Sequence, residues 1–111
     1  MNNQEILATA QKTINGRGKD YGDIKTSFTR AAIIASVTTN KSITPYDVAL
    51  ILSAVKQARL AHDSSNHDSW VHSAAYQAIA AQLVDMPSRT NDAFTAEVEA
   101  KLNEVQNNVT A

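Results

Sequence analysis

Two cations in an otherwise apolar segment are the strongest chemical signal in this sequence. Lys56 and Arg59 lie three residues apart in residues 44–61, which are apolar around nearly the whole circumference of a helix. Burying a cation is costly unless an anion is close. That anion is either a carboxylate of the same chain or the phosphate of a ligand. In the first case Lys56 extends its ammonium group to solvent and Arg59 pairs with an internal aspartate.

A glycine-rich charged segment, residues 15–23, holds all three glycines of the chain. Glycine lets a ligand approach the backbone closely, and Arg17 and Lys19 can contact phosphate. The spacing is not that of a P-loop, and no strand precedes the segment as a dinucleotide fingerprint requires. The alternative is a plain connection between helices, anchored by Tyr21, with Gly22 at a positive φ angle.

A third group of polar side chains begins the segment 66–84. Asp68 and His72 are four residues apart and share one helix face, so together they can bind a metal or a proton, and Tyr76 continues the row. Zinc needs three or four ligands, and the chain has three histidines and no cysteine. The alternative is that Asp68 caps the helix and interacts with its dipole.

Composition limits the class of protein in which these residues can act. The chain has 111 residues, a net charge of −1, no cysteine and 18 alanines, with three glycines and two prolines. These values predict a single all-α domain without disulfides or thiol catalysis. Balanced charge argues against nucleic acid or a membrane surface as partner. No signal peptide and no membrane span is recognisable, which predicts a cytoplasmic protein.

The elements that must position the candidate residues follow from capping signals and helical periodicity. We predict a first helix from Asn2 or Asn3 to Asn15-Gly16, a second over residues 24–38, and a third over 44–61 with Thr44 as its cap. A fourth helix runs over 66–84 and a fifth over 92–107. The expectation is a four- to five-helix bundle, with residues 1–85 as the main domain and 86–111 as a helical extension. Because the third helix has no wide polar face, it is expected at the centre.

The candidate residues belong to an ordered series of motifs: Lys19-Asp20-Tyr21-Gly22-Asp23, Phe28-x-Arg30, Ile43-Thr44-Pro45-x-Asp47-Val48-Ala49, Lys56-x-x-Arg59-Leu60, His67-Asp68-Ser69-Trp70-Val71 and Ala75-Tyr76. This series resembles a family of small, mostly uncharacterised proteins encoded by phages and prophages, and the resemblance spans about residues 5–84. The series is also similar to a nucleotide-modification-associated phage family, and more remotely to the all-α pyrophosphohydrolases typified by MazG and the dimeric dUTPases.

The remote resemblance implies a MazG-like, oligomeric fold and Mg²⁺ held by Glu-x-x-Glu and Glu-x-x-Asp motifs. Glu5 is the only glutamate in the first two predicted helices. His72 stands where relatives typically have an aspartate, and Mg²⁺ prefers oxygen ligands. Two-metal hydrolysis is therefore not expected of this chain, and no cofactor other than Mg²⁺ is implied.

The resemblance also implies that the candidate residues form one site. In it Lys56 and Arg59 neutralise phosphates, carboxylates orient the cations or a metal, and an aromatic ring stacks on a base. The same residues can instead form an internal ion-pair network. The predicted ligand-binding residues are Arg17, Lys19, Asp20, Tyr21, Asp23, Arg30, Lys56, Arg59 and Trp70, with Asp68 and His72 as metal ligands.

Three functions are compatible with the sequence. The first is a phage-type protein that binds a nucleotide or another phosphorylated ligand, with weak or absent hydrolytic activity. The second is a phage effector that binds and inhibits a host protein, which near-zero charge and the segment 92–107 allow. The third is a metal-dependent nucleotide pyrophosphohydrolase, ranked last because of the missing acids. A homo-oligomer is expected in each case, because an alanine-rich core buries little apolar area.

Overall fold

The structure, a computed structural model, describes residues 1–21, 23–84, 96, 100, 101 and 103–105. Four long helices account for most of these residues. The backbone of residues 18–21 is helical, and their side chains lie outside the description. Within the described residues, all regular structure is helical, as predicted. The helices are α1 (Asn3–Tyr21), α2 (Ile24–Thr39), α3 (Pro45–His62) and α4 (His67–Val84).

The starts of these helices agree with the capping signals in the sequence. Asn2 Oδ1 accepts a hydrogen bond from Glu5 N at 2.8 Å, and Asn2 Nδ2 donates to Glu5 Oε1 at 3.2 Å. Thr44 and Asp47 form a complete capping box at the start of α3. Asn66 Oδ1 accepts from Ser69 N at 2.9 Å at the start of α4. Each cap pairs backbone N–H groups that the helix itself cannot pair.

The end predicted for α1 at Asn15-Gly16 is wrong, since the helix continues through both residues to Tyr21. A glycine inside a helix costs about 1 kcal/mol relative to alanine. Packing beyond Gly16 offsets this cost, because the guanidinium of Arg17 lies over the rings of Phe28 and Tyr76. The residues from 15 to 21 that were expected to form a phosphate-binding loop are therefore the last turns of a helix.

The core lies mainly along α4. Six of its residues are buried, more than on any other helix, and the largest of them are Ile79 and Leu83. Ile79 packs with Phe28 of α2 and Ala49 of α3, whereas Val71 packs with Ala10 of α1. The prediction that α3 lies at the centre holds only in part. α3 packs on α2 and α4, but Ile51 and Val55 on its far side are exposed.

The direction of each helix follows from its contacts. Ala10 contacts the first half of α4, and Ile14 contacts the cluster that contains Ile79 further along, so α1 and α4 run in the same direction. α3 runs in the opposite direction, because its early residue Ala49 packs near Ile79 while Ser53 donates a hydrogen bond to Ser73 O at 3.1 Å. α3 therefore lies antiparallel to α4.

The turn between α2 and α3 is held by a buried hydroxyl group. Asn40 ends α2 in the left-handed region at φ 58°, and its N–H donates to Ser36 O. The fully buried Ser36 Oγ accepts from Ile43 N at 2.8 Å and donates to Ile43 O at 3.1 Å. One side chain thus pairs both backbone groups of Ile43 as the chain approaches the Thr44 cap.

The turn between α3 and α4 is organised by Asp63. Its Oδ1 accepts from Ser65 Oγ at 2.6 Å and from Ser65 N at 3.0 Å. These hydrogen bonds, the one from the hydroxyl first, lower the pKa of Asp63 below its ordinary value, because they favour the ionised carboxylate. The carboxylate therefore stays ionised at more acidic pH than in an unfolded chain.

The fifth predicted helix, 92–107, is only partly within the described residues. Residues 96, 100, 101 and 103–105 are helical, and Lys101 Nζ lies 3.8 Å from Glu104 Oε2. The other positions of that prediction, and the break predicted at 86–88, lie outside the description. No helix among the described residues has the length and hydropathy to cross a membrane.

Candidate functional site

A cavity of about 450 Å³ lies between α1, α3 and α4, and we call it the α1–α3–α4 cavity. Three of the residues that line it carry positive charge and come from two helices. α4 contributes an imidazole and a phenol, while small and apolar residues complete the wall. The lining residues are Lys12, Thr13, Ile14, Gly16, Arg17, Lys56, His72, Ala75, Tyr76 and Ile79.

Arg17 is held in this cavity by two aromatic rings. Its guanidinium carbon lies 5.1 Å from the centroid of Phe28 and 5.7 Å from that of Tyr76. The two ring centroids are 6.5 Å apart and the ring planes are tilted by 54°. Cations are attracted to the faces of aromatic rings, so this contact helps to fix the position of the guanidinium. The planar fork of N–H donors is thereby oriented before any ligand arrives.

Lys56 reaches the cavity because it lies on the side of α3 that faces the core. It is three residues after Ser53 and seven after Ala49, both of which are buried, and this spacing repeats one helix face. Its side chain is half-buried, whereas that of Arg59 is exposed and does not line the cavity. The pair predicted to act together is therefore divided between the cavity and the solvent.

α4 contributes His72 and Tyr76, which are four residues apart on one face as the sequence indicated. Both side chains are half-buried. Asp68, one turn earlier, is exposed and does not line the cavity. Among the described residues, no three His, Asp or Glu side chains converge as metal ligands. His72 has cations as its neighbours in the cavity, which is a poor environment for Mg²⁺.

The electrostatic character of the cavity follows from its lining. Lys12, Arg17 and Lys56 are cationic, and no described residue that lines the cavity is an aspartate or a glutamate. Lys12 and Gly16 are exposed and lie at the opening, whereas Ala75 and Ile79 are buried and form the apolar floor. Like charges around one space raise the local positive potential, so the cavity attracts an anion with an apolar or aromatic part.

Three other predicted site residues have separate positions in the fold. Asp23 is the N-cap of α2, and its Oδ2 accepts from the backbone N and the hydroxyl of Thr26, each at 3.2 Å. Arg30 is exposed on α2. Trp70 Nε1 donates to Ser64 O at 2.9 Å, and the ring lines a different groove beside the start of α1. None of the three lines the α1–α3–α4 cavity.

The side chains of Lys19, Asp20 and Tyr21 lie outside the described residues, so their predicted roles stay predictions. Lys12 was missed as a candidate. Lys12 and Gly16 are four residues apart on one helix, with Arg17 adjacent, which places all three beside the same opening. This grouping could be recognised only by knowing that α1 continues past Asn15 and includes Arg17.

The geometry defines an all-α protein with a cationic cavity between three helices, and the sequence matches a known family over residues 5–84. The chain belongs to the family described as a domain of unknown function, DUF6378. The predicted membership of a phage-related family of unknown function is confirmed by this match and by the relatives described next.

Two of the similar proteins are phage gene products. The chain is 36% identical over 76 residues to the Gene 55 protein of Mycobacterium phage L5, which is 67% of this chain and 49% of that protein. It is 31% identical over 85 residues to the Gene 55 protein of Mycobacterium phage D29, covering 76% of this chain and 56% of that protein. The chain thus spans about half the length of the curated relatives it matches. No solved structure matches the chain.

Proposed function

We propose that this protein binds a phosphorylated small molecule in the α1–α3–α4 cavity. The observation that carries the proposal is the convergence of Lys12, Arg17 and Lys56, from two helices, on one cavity of about 450 Å³. Cations gathered around one space are suited to an anion supplied from outside.

The proposed ligand has a phosphate at one end and an apolar or aromatic group at the other. Arg17 donates to two phosphate oxygens through its oriented fork, and Lys56 acts as a mobile point charge. Tyr76 and Ile79 contact the apolar part. The cavity volume of about 450 Å³ is within the usual range for small-molecule sites. A nucleotide combines these features and is the ligand we propose to test first.

We do not extend the proposal to hydrolysis. The MazG-like pyrophosphohydrolases to which the motifs have a remote similarity require Mg²⁺ held by carboxylates. The residues of the cavity do not fit that ion, because they offer three cations and His72. A pyrophosphohydrolase activity is therefore a less favoured proposal than binding alone, and so is the MazG-like fold that would accompany it.

The test is isothermal titration calorimetry with nucleoside mono-, di- and triphosphates and inorganic pyrophosphate. Lys56→Met removes the charge inside the cavity and keeps an aliphatic side chain of similar length. We expect it to weaken binding by about 10- to 100-fold, the loss typical of one charge-assisted hydrogen bond.

The matched control is Arg59→Met, which removes an exposed cation three residues away on the same helix. The affinity of this variant for the nucleotide should stay within about twofold of that of the unmodified protein, since exposed surface charges contribute little at physiological salt. Equal losses in both variants would show that binding responds to overall charge. Absence of binding across the panel would overturn the proposal.

A second candidate function is binding to a host protein. The supporting observation is that Leu7 of α1 and Ile34 of α2 are the two most exposed large apolar side chains among the described residues. A host partner lost by Leu7→Glu or Ile34→Glu, and retained by Lys56→Met, would favour this function over ligand binding.

A further inference from the structure

The far side of α3 is an apolar face that the other described residues leave uncovered. Ile51 and Val55 are 54% and 46% exposed, and between and beyond them Ala54, Ala58 and Ala61 are exposed as well. Ile51 lies two residues from the buried Ala49 and Ser53, which turns it to the opposite side of the helix. We call these five residues the α3 outer face.

The five residues of this face are uncharged, and an acid and a histidine stand at its two ends. Asp47 is in the first turn of α3, and His62 is its last residue. Of the two carboxylate oxygens of Asp47, Oδ2 accepts the capping hydrogen bond from Thr44 N at 3.0 Å. The other oxygen is free to accept from a second partner. The face therefore has a carboxylate at one end and an imidazole at the other, with apolar residues between them.

The residues of the face are arranged symmetrically about the midpoint between Ala54 and Val55. Ile51 and Ala58 are equally distant from that point, and so are Asp47 and His62. If two copies of α3 pack antiparallel about a two-fold axis at this point, each large side chain meets a small one. Ile51 packs over the partner's Ala58, and Val55 over the partner's Ala54.

We propose that the α3 outer face binds a second copy of this chain as an antiparallel helix pair. Polar complementarity supports this occupant, because the two-fold operation places the carboxylate of Asp47 in one copy opposite the imidazole of His62 in the other, at both ends of the contact. A two-fold interface must be complementary to itself, and this face has an acceptor and a donor, and a large and a small side chain, at symmetric positions. An unrelated partner would have no reason to match that internal symmetry.

The size of the face determines how strong the dimer is. α3 has 18 residues and is about 27 Å long. A contact between two such helices alone is at the small end of specific interfaces, which bury about 1,200–2,000 Å² in total. We therefore expect a dimer that dissociates as the protein is diluted through the micromolar range. The dimer does not depend on the cavity, which opens on the other side of α3.

The first test uses cross-linking, since the chain has no cysteine of its own. Two variants, Ala54→Cys and Ala61→Cys, are treated separately with a short-arm bis-maleimide. In the antiparallel pair the two copies of residue 54 are about 1.5 Å apart along the helix axis, whereas the two copies of residue 61 are about 20 Å apart. We expect a covalent dimer from Ala54→Cys and none from Ala61→Cys. Any other combination overturns the proposed register.

The second test measures association directly by sedimentation velocity over a concentration series. Ile51→Glu places like charges beside the dyad and should raise the dimer dissociation constant at least 10-fold. Ile34→Glu is the matched control, because it makes the same change at another exposed isoleucine, on α2. Circular dichroism establishes that both variants are folded. Equal dissociation constants for the two folded variants, or a monomer at every concentration of the unmodified protein, overturn the proposal.

Discussion

Lys56 should destabilise the unliganded protein, although most half-buried side chains stabilise the fold. It shares the α1–α3–α4 cavity with Arg17 and Lys12, which carry the same charge. Replacing Lys56 by methionine keeps the aliphatic contacts of the stem and removes the repulsion. We therefore expect Lys56→Met to raise the free energy of unfolding.

The size of the effect follows from the dimensions of the cavity. A space of 450 Å³ is about 10 Å across, so cations on opposite walls are separated by about that distance. Coulomb's law then gives about 0.4–1.7 kcal/mol for each pair, for an effective dielectric constant between about 80 and 20. Because Lys12 is exposed and its charge is well screened, the expected gain is about 0.5–1 kcal/mol at low ionic strength.

Arg59→Met is expected to have the opposite sign. Arg59 is exposed in the last turn of α3, where a cation interacts favourably with the helix dipole. Its removal should cost about 0.3–1 kcal/mol. Urea unfolding at 10 mM and at about 0.5 M NaCl, followed by circular dichroism, measures both variants. In about 0.5 M salt the Debye length falls to about 4 Å, so the gain of Lys56→Met should largely disappear.

Two results would refute this reasoning. If Lys56→Met lowers the free energy of unfolding as much as Arg59→Met does, Lys56 has its ammonium group in solvent and is not repelled by the other cations. If it raises the free energy equally at low and high salt, the gain comes from apolar packing and not from charge. In either case the cationic character of the cavity would need revision.

Two further predictions concern the turns. Ser36→Ala removes the hydroxyl that pairs both backbone groups of Ile43, so urea unfolding should show a loss of about 1–3 kcal/mol, and a loss below 0.5 would contradict the role of that hydroxyl. The lowered pKa of Asp63 stabilises the fold above the unfolded value of 3.8 and ceases to do so as the pH falls through the folded value. Stability curves of the unmodified protein and Asp63→Asn should therefore differ above pH 4 and converge in acid, whereas parallel curves would exclude the effect.

The helix starts could be predicted from sequence because their causes are local. Asn2, Thr44 and Asn66 each accept a hydrogen bond from a backbone N–H three residues ahead, and such short-range spacing is visible in one dimension. The end of α1 could not be predicted in the same way. Local propensity favours a break at Gly16, and the contacts that oppose it come from Phe28 and Tyr76, which are distant along the chain.

The candidate site shows the same division. Lys56 could be selected because a cation among apolar residues needs an explanation wherever the helix packs. That Lys56 is half-buried while Arg59 is exposed could not be predicted. Residues three apart lie on broadly the same side of α3, and only the position of α4 decides which of them is covered. Lys12 lines the cavity because α1 packs beside α4, and residue spacing within either helix does not reveal that contact.

The side chain of Arg17 lines two separate spaces in the protein. It lines the α1–α3–α4 cavity and also a smaller space of about 180 Å³ beside Phe28, Val48 and Leu52, on the side towards α2. A ligand whose phosphate binds the guanidinium would contact a side chain that also borders this smaller space against α2. Through the side chain of Arg17, α2 would then respond to whether a ligand occupies the α1–α3–α4 cavity. Protection of the backbone amides of α2 from exchange with solvent would then report whether the α1–α3–α4 cavity is occupied, although the ligand does not contact α2.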